Sequence, residues 1–202
     1  MKLYDAGISG NCYKIRLMLS LLGLDHKLVP VNLPEQEHKS PEFLAMNPLG
    51  KVPVLDDGGT ILRESQAILI YLADKSAAHE WWPQDGAQQA EIMQWLSLAS
   101  NEMLHGCAIA RAVCKFKRDL DLNAAQTLAR TTLDVLDAHL ATHDWLALNH
   151  PTIADIAIYP YAALAREGEV SLAPYAAVRR WFTRIESLPG YTPMEGLPAP
   201  VA

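Results

Sequence analysis

Asn47-Pro48-Leu49-Gly50-Lys51-Val52-Pro53-Val54-Leu55, a short turn Asp56-Asp57-Gly58-Gly59, then Thr60-Ile61-Leu62-Arg63-Glu64-Ser65: the reading of this 202-residue chain turns on this stretch. Val52 to Leu55 reads as a strand entered through a proline. Proline has no N–H for a ladder, so this X-Pro marks a special turn and is compatible with a cis peptide bond. Such a turn leaves the N–H and C=O of Val52 free to pair with an extended peptide. The Asp-Asp-Gly-Gly segment reads as a hairpin turn with positive φ. Thr60-Ile61-Leu62 returns as a second strand. Glu64-Ser65 opens a helix, where backbone donors collect and a carboxylate is welcome. Two readings are open from these residues: an ordinary strand, hairpin and helix, or a peptide site with a strand-like edge at one end and an anion pocket at the other.

Upstream, Lys2 to Asp5 predicts a strand, and residues 6–11 a loop with Gly7 and Gly10. From Cys12 to Leu22 apolar residues recur at helical spacing, and Gly23 is placed to stop that helix. His26 to Val31 predicts a second strand, with Pro30 pointing to an edge position. Ser40 caps a short helix that begins at Pro41. A helix from about Ser65 to Lys75 completes a βαβαββα order, whose crossover helix joins two parallel strands. Residues 77–86, with Trp81-Trp82-Pro83, break both periodicities and read as a linker, the tryptophans as wedges between domains. Beyond it every segment is helical: about 87–117, 123–142, 152–166 and 176–187, an all-α bundle. In Thr152-Ile153-Ala154-Asp155, Thr152 caps a helix and Asp155 reaches back, a capping box that makes this acid structural. The division is therefore 1–76, linker 77–86, and 87–202, and the proline-rich tail reads as loosely ordered.

Composition bounds the function. A formal charge of −6 argues against a nucleic-acid partner. Met1 leads straight into strand-like residues with no basic-then-apolar leader, and no apolar run is long enough to span a bilayer, so no membrane role is expected. Cys12, Cys107 and Cys114 form neither a metal spacing nor an even disulfide framework, which fits a reducing cytoplasm and no metal.

Asn-Pro-x-Gly-Lys-Val-Pro-x-Leu followed by Glu-Ser resembles the glutathione site of the glutathione transferase family. The likeness covers nearly the whole chain and is strongest from Met1 to Asp74. It implies a thioredoxin-like α/β domain followed by an all-α domain, glutathione as co-substrate, a small electrophile as second substrate, and a homodimer. On this likeness the Ser65 hydroxyl and N–H take the γ-glutamyl carboxylate, with Glu64 at the α-ammonium or the nearby backbone. Val52, held by Pro53, pairs with the cysteinyl backbone. Lys51 and His38 reach the glycyl carboxylate, whereas Lys39 reads as part of a solvated charge run.

Ser9-Gly10-Asn11-Cys12 lies where the thioredoxin fold carries its Cys-x-x-Cys pair. With serine in the leading position, a mixed disulfide there is impossible, but a hydroxyl can donate to glutathione's own sulfur. Ser9 thus resembles the activating serine of the theta and zeta classes; it also reads as a plain N-cap. Zeta-type isomerases carry Ser-Ser-Cys where this chain has Ser9-Gly10-Asn11, a departure that lowers the isomerase reading. Asn11 is the rival donor, resembling the Nu class, whose members favour disulfide reduction. Cys12 reads as a small buried filler, and Tyr4 is a third candidate by analogy with the tyrosine-type enzymes. Further on, Glu102, His105 and Arg111 share one predicted helix, Glu102 and His105 on one face. Glu102, His105 and Tyr161 are the candidates for a second-substrate pocket. The resulting reading is a transferase whose glutathione thiolate, stabilised by Ser9, attacks a small electrophile. The alternatives are a glutathione-dependent disulfide oxidoreductase using Ser9 and Asn11, and a non-catalytic interaction module of the same fold.

Overall fold

The computed structural model describes residues 1–194 and residue 197. Strands β1 (Lys2–Asp5), β2 (Lys27–Pro30), β3 (Val54–Asp57) and β4 (Thr60–Arg63) form one sheet in the order β2-β1-β3-β4. β1 and β2 are parallel and connected through α1 (Gly10–Leu21); β3 is antiparallel to β1 and β4. Pro30 therefore lies on an edge strand, the one place in a sheet where a missing N–H is harmless. The Val52–Pro53 bond is cis. β3 starts two residues later than the sequence predicts, since Pro53 has no N–H to contribute. Pairing instead runs on through Asp56 and Asp57, and Gly58 and Gly59 alone make the turn, at φ +62° and +100°.

The local stops and starts follow chain chemistry. Gly23 ends α1 at φ +62°, which lets the Leu24 N–H reach back to the Leu19 carbonyl at 2.9 Å. Ser40 caps α2 (Pro41–Met46), its Oγ accepting the Phe43 N–H at 3.2 Å. α3 (Ser65–Lys75) then closes the first domain.

The helical half departs from expectation at two points: the helix expected over 152–166 ends at Ala163 and passes into a 3-10 turn over Leu164–Gly168, and the first long helix is broken. A single helix over 87–117 is predicted; the structure has α4 (Gly86–Ser100), an irregular Asn101 at φ −114°, ψ −82°, a π-helical turn over Leu104–Ala108, and α5 (Ile109–Phe116). Apolar spacing runs on through the break, so periodicity reads it as continuous. Packing decides otherwise: Gly106 lies so close to α6 (Leu122–Leu140) that a Cβ would meet the Ala129 nitrogen at 2.8 Å. Wide turns of this kind recur at functional sites.

α7 (Ile153–Ala163) is buried along its whole length and packs on α1, α3 and α4; α8 (Ala176–Glu186) follows. Asp155 anchors the start of α7. Its carboxylate accepts from the Thr152 N–H (2.8 Å), the Leu146 N–H (3.1 Å) and the Trp181 indole N–H (2.8 Å). Buried Trp81, between α3 and α4, accepts the Ile153 N–H on its carbonyl at 3.1 Å. One apolar core thus runs from Leu3, Leu55 and Ile68 across to Ile156 and Trp181. Of the proline-rich tail, residues 195–196 and 198–202 lie outside the described residues.

Candidate active site

A cleft of about 230 Å3 opens between the loop before β3 and the start of α3. Asn47, 1% exposed, builds the loop: its amide donates to the Lys51 carbonyl at 2.7 Å and its Oδ1 accepts the Leu49 N–H at 3.1 Å. This clamp presents Lys51, Val52 and Pro53 to the cleft. Among the described residues, the Val52 N–H and C=O have no backbone partner. Opposite, Glu64 takes φ +69°, a region costly for a residue with a side chain. It makes no side-chain cap bond, so the first N–H groups of α3 face the cleft uncapped by it. The Ser65 hydroxyl donates to Gln66 Oε1 (2.9 Å), with Asn11 Oδ1 3.4 Å away. Such a helix start attracts a carboxylate.

His38 and Lys39 lie beyond this cleft's lining. Lys39 donates to the Leu49 and Gly50 carbonyls (3.3 and 3.2 Å) and so braces the loop. His38 is half-buried and its Nδ1 is unpartnered among the described residues. Burial, then the charges of Lys39 and Arg118, hold its pKa below the usual histidine value.

Ser9 stands at the start of α1, its Oγ accepting the Cys12 N–H at 3.3 Å. That bond uses an oxygen lone pair and leaves the hydroxyl hydrogen for another acceptor. Cys12 is fully buried, accepts the Ala6 N–H at 3.5 Å, and its thiol is pushed up to about 12 by burial. It is the inert filler its sequence context predicts. Tyr4 packs edge-on against Phe43 and lines neither cavity. Asn11 lines the peptide cleft; Ser9 lines a second, larger cavity of about 460 Å3, and Leu104 borders both.

That second cavity lies between the domains, with Ile8 and Leu33 on one side and Ala108, Arg111 and Phe116 on the other. Tyr161 also lines it. The Tyr161 ring rests on Gly10, where a Cβ would meet ring carbons at 2.8 Å, and burial pushes its hydroxyl up to about 12, so it stays a donor. Glu102 and His105 do not line the cavity: His105 is exposed, and Glu102 accepts from the Asn101 amide at 3.2 Å. The break after α4 brings Leu104 and Ala108 to the cavity in their place. Three residues with no assigned role emerge here. Asn47 is legible afterwards as the head of the Asn-Pro-x-Gly-Lys run. Arg111 shares a predicted helix with His105 but is the one that reaches the cavity. Lys14, 1% exposed, lies with its Nζ 5.3 Å from the centre of the Tyr161 ring; a charge flanked by Tyr13 and Ile15 is its only trace in sequence.

Glutathione S-transferase 3 of Zea mays is 34% identical to this chain across 95% of it and 91% of the maize protein. The chain belongs to the glutathione S-transferase family. Within it, residues 3–80 match the N-terminal domain and residues 99–189 the C-terminal domain of this transferase family. A glutathione S-transferase structure from Pseudomonas fluorescens superposes with a TM-score of 0.90 at 35% identity, covering 96% of this transferase and 98% of that chain. The Escherichia coli disulfide-bond oxidoreductase YfcG is 31% identical over 89% of this chain and 87% of its own. The family uses glutathione as co-substrate, and the transferase carries the expected thioredoxin-like domain followed by a helical domain. No described helix is long and apolar enough to cross a membrane.

Proposed function

We propose that this transferase binds glutathione along the cleft from Ser65 to Lys51 and that Ser9 stabilises its thiolate for attack on a small electrophile. The γ-glutamyl carboxylate takes the Ser65 hydroxyl and the first N–H groups of α3, and Glu64 takes the ammonium. The cysteinyl backbone pairs with the Val52 N–H and C=O. Lys51 meets the glycyl carboxylate, with His38 behind it. The sulfur then falls near Leu104, where the cleft meets the cavity that holds the electrophile. The single observation that carries the assignment is the Ser9 hydroxyl: fixed by the Cys12 N–H at 3.3 Å, it keeps its hydrogen for an anion at the head of α1. A free thiol has a pKa of about 8.5, and each tenfold gain in thiolate needs about 1.4 kcal/mol. A charge-assisted hydrogen bond of about 1.5–3 kcal/mol supplies one to two such steps. In the reaction the sulfur bonds to the electrophilic carbon, the leaving group departs with its electron pair, and the thiol proton passes to water.

Ser9→Ala tests this. Glutathione affinity is expected to hold while kcat/KM falls about tenfold to a hundredfold and the bound thiol, read by its ultraviolet thiolate absorbance, titrates at higher pH. Unchanged activity and titration would remove Ser9 from the mechanism. A second reading, disulfide reduction, is favoured by Asn11 lining the peptide cleft itself. Assay of a small disulfide substrate with Asn11→Ala separates it: loss of that activity with conjugation retained assigns Asn11 to reduction. A homodimer belongs to this reading, seated on the shallow groove between α3 and α4, where Ile70 and a 45%-exposed Met93 lie. So does a reducing cytoplasm, supported by three free cysteines. Failure to bind immobilised glutathione would favour a non-catalytic module.

A further inference from the structure

The cavity beside Ser9 has an unusual balance of charge. The chain as a whole carries −6, yet the lining of this cavity holds two arginines, Arg111 and Arg118, and no carboxylate. Arg111 is 3% exposed. Its Nε donates to Glu167 at 2.5 Å and its Nη1 to the Ile8 carbonyl at 3.0 Å. Its Nη2 is buried and has no acceptor among the described residues. Glu167 does not neutralise the site, because it is shared with Lys115, also at 2.5 Å. The pair of cations on one carboxylate leaves a net positive charge behind the cavity wall, and Arg118 adds another at the cavity itself. A buried guanidinium N–H without an acceptor is costly. A carboxylate or sulfonate is the group its planar fork recognises best. Apart from Ser9 and Tyr161 the remaining wall is apolar, from Leu33 to Ile109 and Phe116.

We infer that this cavity selects electrophiles that carry an acidic group on an apolar body, with Arg111 and Arg118 as the residues that recognise the acid. The inference rests on the transferase reading above and names the substrate class of its second site. The acid group supplies the acceptor that Nη2 lacks. The Phe116 ring, 38% exposed and 5.0 Å from the guanidinium carbon, gives way to admit it. Ile8 then has a further role. Its carbonyl is tied to Arg111 and it is the neighbour of Ser9, so the anion site and the sulfur site are held at a fixed spacing along one loop. An acid seated on Arg111 would place the reacting carbon of a ring-sized ligand toward Ser9.

The test compares 4-chloro-3-nitrobenzoate with its methyl ester, each rate divided by the spontaneous rate with glutathione. In either reaction the sulfur–carbon bond forms, the carbon–chlorine bond breaks, and chloride leaves with the electron pair. The wild-type protein is expected to favour the acid over the ester by about tenfold or more in corrected kcat/KM, the size of one partly buried ion pair. Arg118→Glu should lower the acid's kcat/KM by about tenfold and leave the ester within about twofold, with glutathione affinity moving by no more than about threefold through the charge Arg118 sets near His38. Arg111→Met should abolish the preference. Because Arg111 also braces the Ile8 carbonyl, the surface variant Arg118→Glu carries the test if Arg111→Met does not fold. If neither probe is turned over, calorimetric binding of the acid to the glutathione-loaded protein decides, with the same Arg118→Glu comparison. An ester handled as well as the acid, or a preference that Arg118→Glu leaves in place, overturns the inference while the transferase reading stands. Absence of glutathione binding sinks the transferase reading, and this inference with it.

Discussion

Replacing Lys14 with methionine should make this protein more stable, by an amount that depends on pH. Lys14 sits in α1 at 1% exposure, and none of the described residues gives it an ion pair or a side-chain hydrogen bond; its Nζ lies 5.3 Å from the centre of the Tyr161 ring. Burial lowers its pKa from 10.5 to about 7. That is ~3.5 powers of ten in proton affinity, and at about 1.4 kcal/mol for each the charged form costs the fold up to about 5 kcal/mol. The cation–π contact recovers about 0.5–2 kcal/mol, and relaxation of the surroundings recovers more. A net gain of about 2–4 kcal/mol for Lys14→Met near neutral pH follows. The sign runs one way. Between about pH 7 and 10.5 the unfolded chain holds a proton that the folded chain has released, so wild-type stability from this group rises with pH. Below about 7 the full cost is borne, and above about 10.5 it vanishes. Methionine, similar in length and unbranched, has no such dependence. Urea unfolding of both proteins at a series of pH values, taken as a difference so that other titrations cancel, should show the gap narrow steadily from near-neutral pH and close above about 10.5. A variant less stable than wild type at pH 6, or a difference that does not move with pH, would refute the claim that Lys14 is an uncompensated buried amine.

Asp155→Ala should be among the most damaging single changes. It strips the acceptor from the N–H groups of Thr152, Leu146 and Trp181, all buried, and at about 1–3 kcal/mol for each unsatisfied donor the loss exceeds about 3 kcal/mol; thermal unfolding would read it. Gly10→Ala should push the Tyr161 ring away from α1, because the new Cβ would sit 2.8 Å from two ring carbons. Affinity for the electrophile should fall several-fold, on the order of 1 kcal/mol, while glutathione binding holds, and equal loss of both would contradict the division of the two cavities. Cys12→Ala should leave conjugation within about twofold of wild type, since burial keeps that thiol protonated up to about 12. Native Cys12 should accordingly resist alkylation at neutral pH, which mass spectrometry would check.

Much of the fold was legible from chain-local chemistry. Ser40-Pro41, Gly23 and the Thr152–Asp155 box announced their helix ends because each needs only partners three to five residues away. Pro30 announced an edge and Gly58-Gly59 a turn, because both act on their own backbone. The run from Asn47 to Ser65 went further. A proline entering a strand, a hairpin and a helix start within nineteen residues brings the two walls of a cleft together with little help from the rest of the molecule. What the chain could not announce depends on neighbours distant in sequence. Helical spacing continues through residues 101–108, and only the approach of Gly106 to Ala129 decides that α4 stops short. That break brings Leu104 and Arg111 to the cavity and leaves Glu102 and His105 outside it. Lys14 looks like any lysine on a helix until α7 covers it. Local hydrogen bonds and fixed φ angles are properties of a few adjacent residues, so the sequence carried them by itself. Burial, charge balance and the meeting of two cavities at Leu104 arise when one domain closes on the other, and only the tertiary structure decided them.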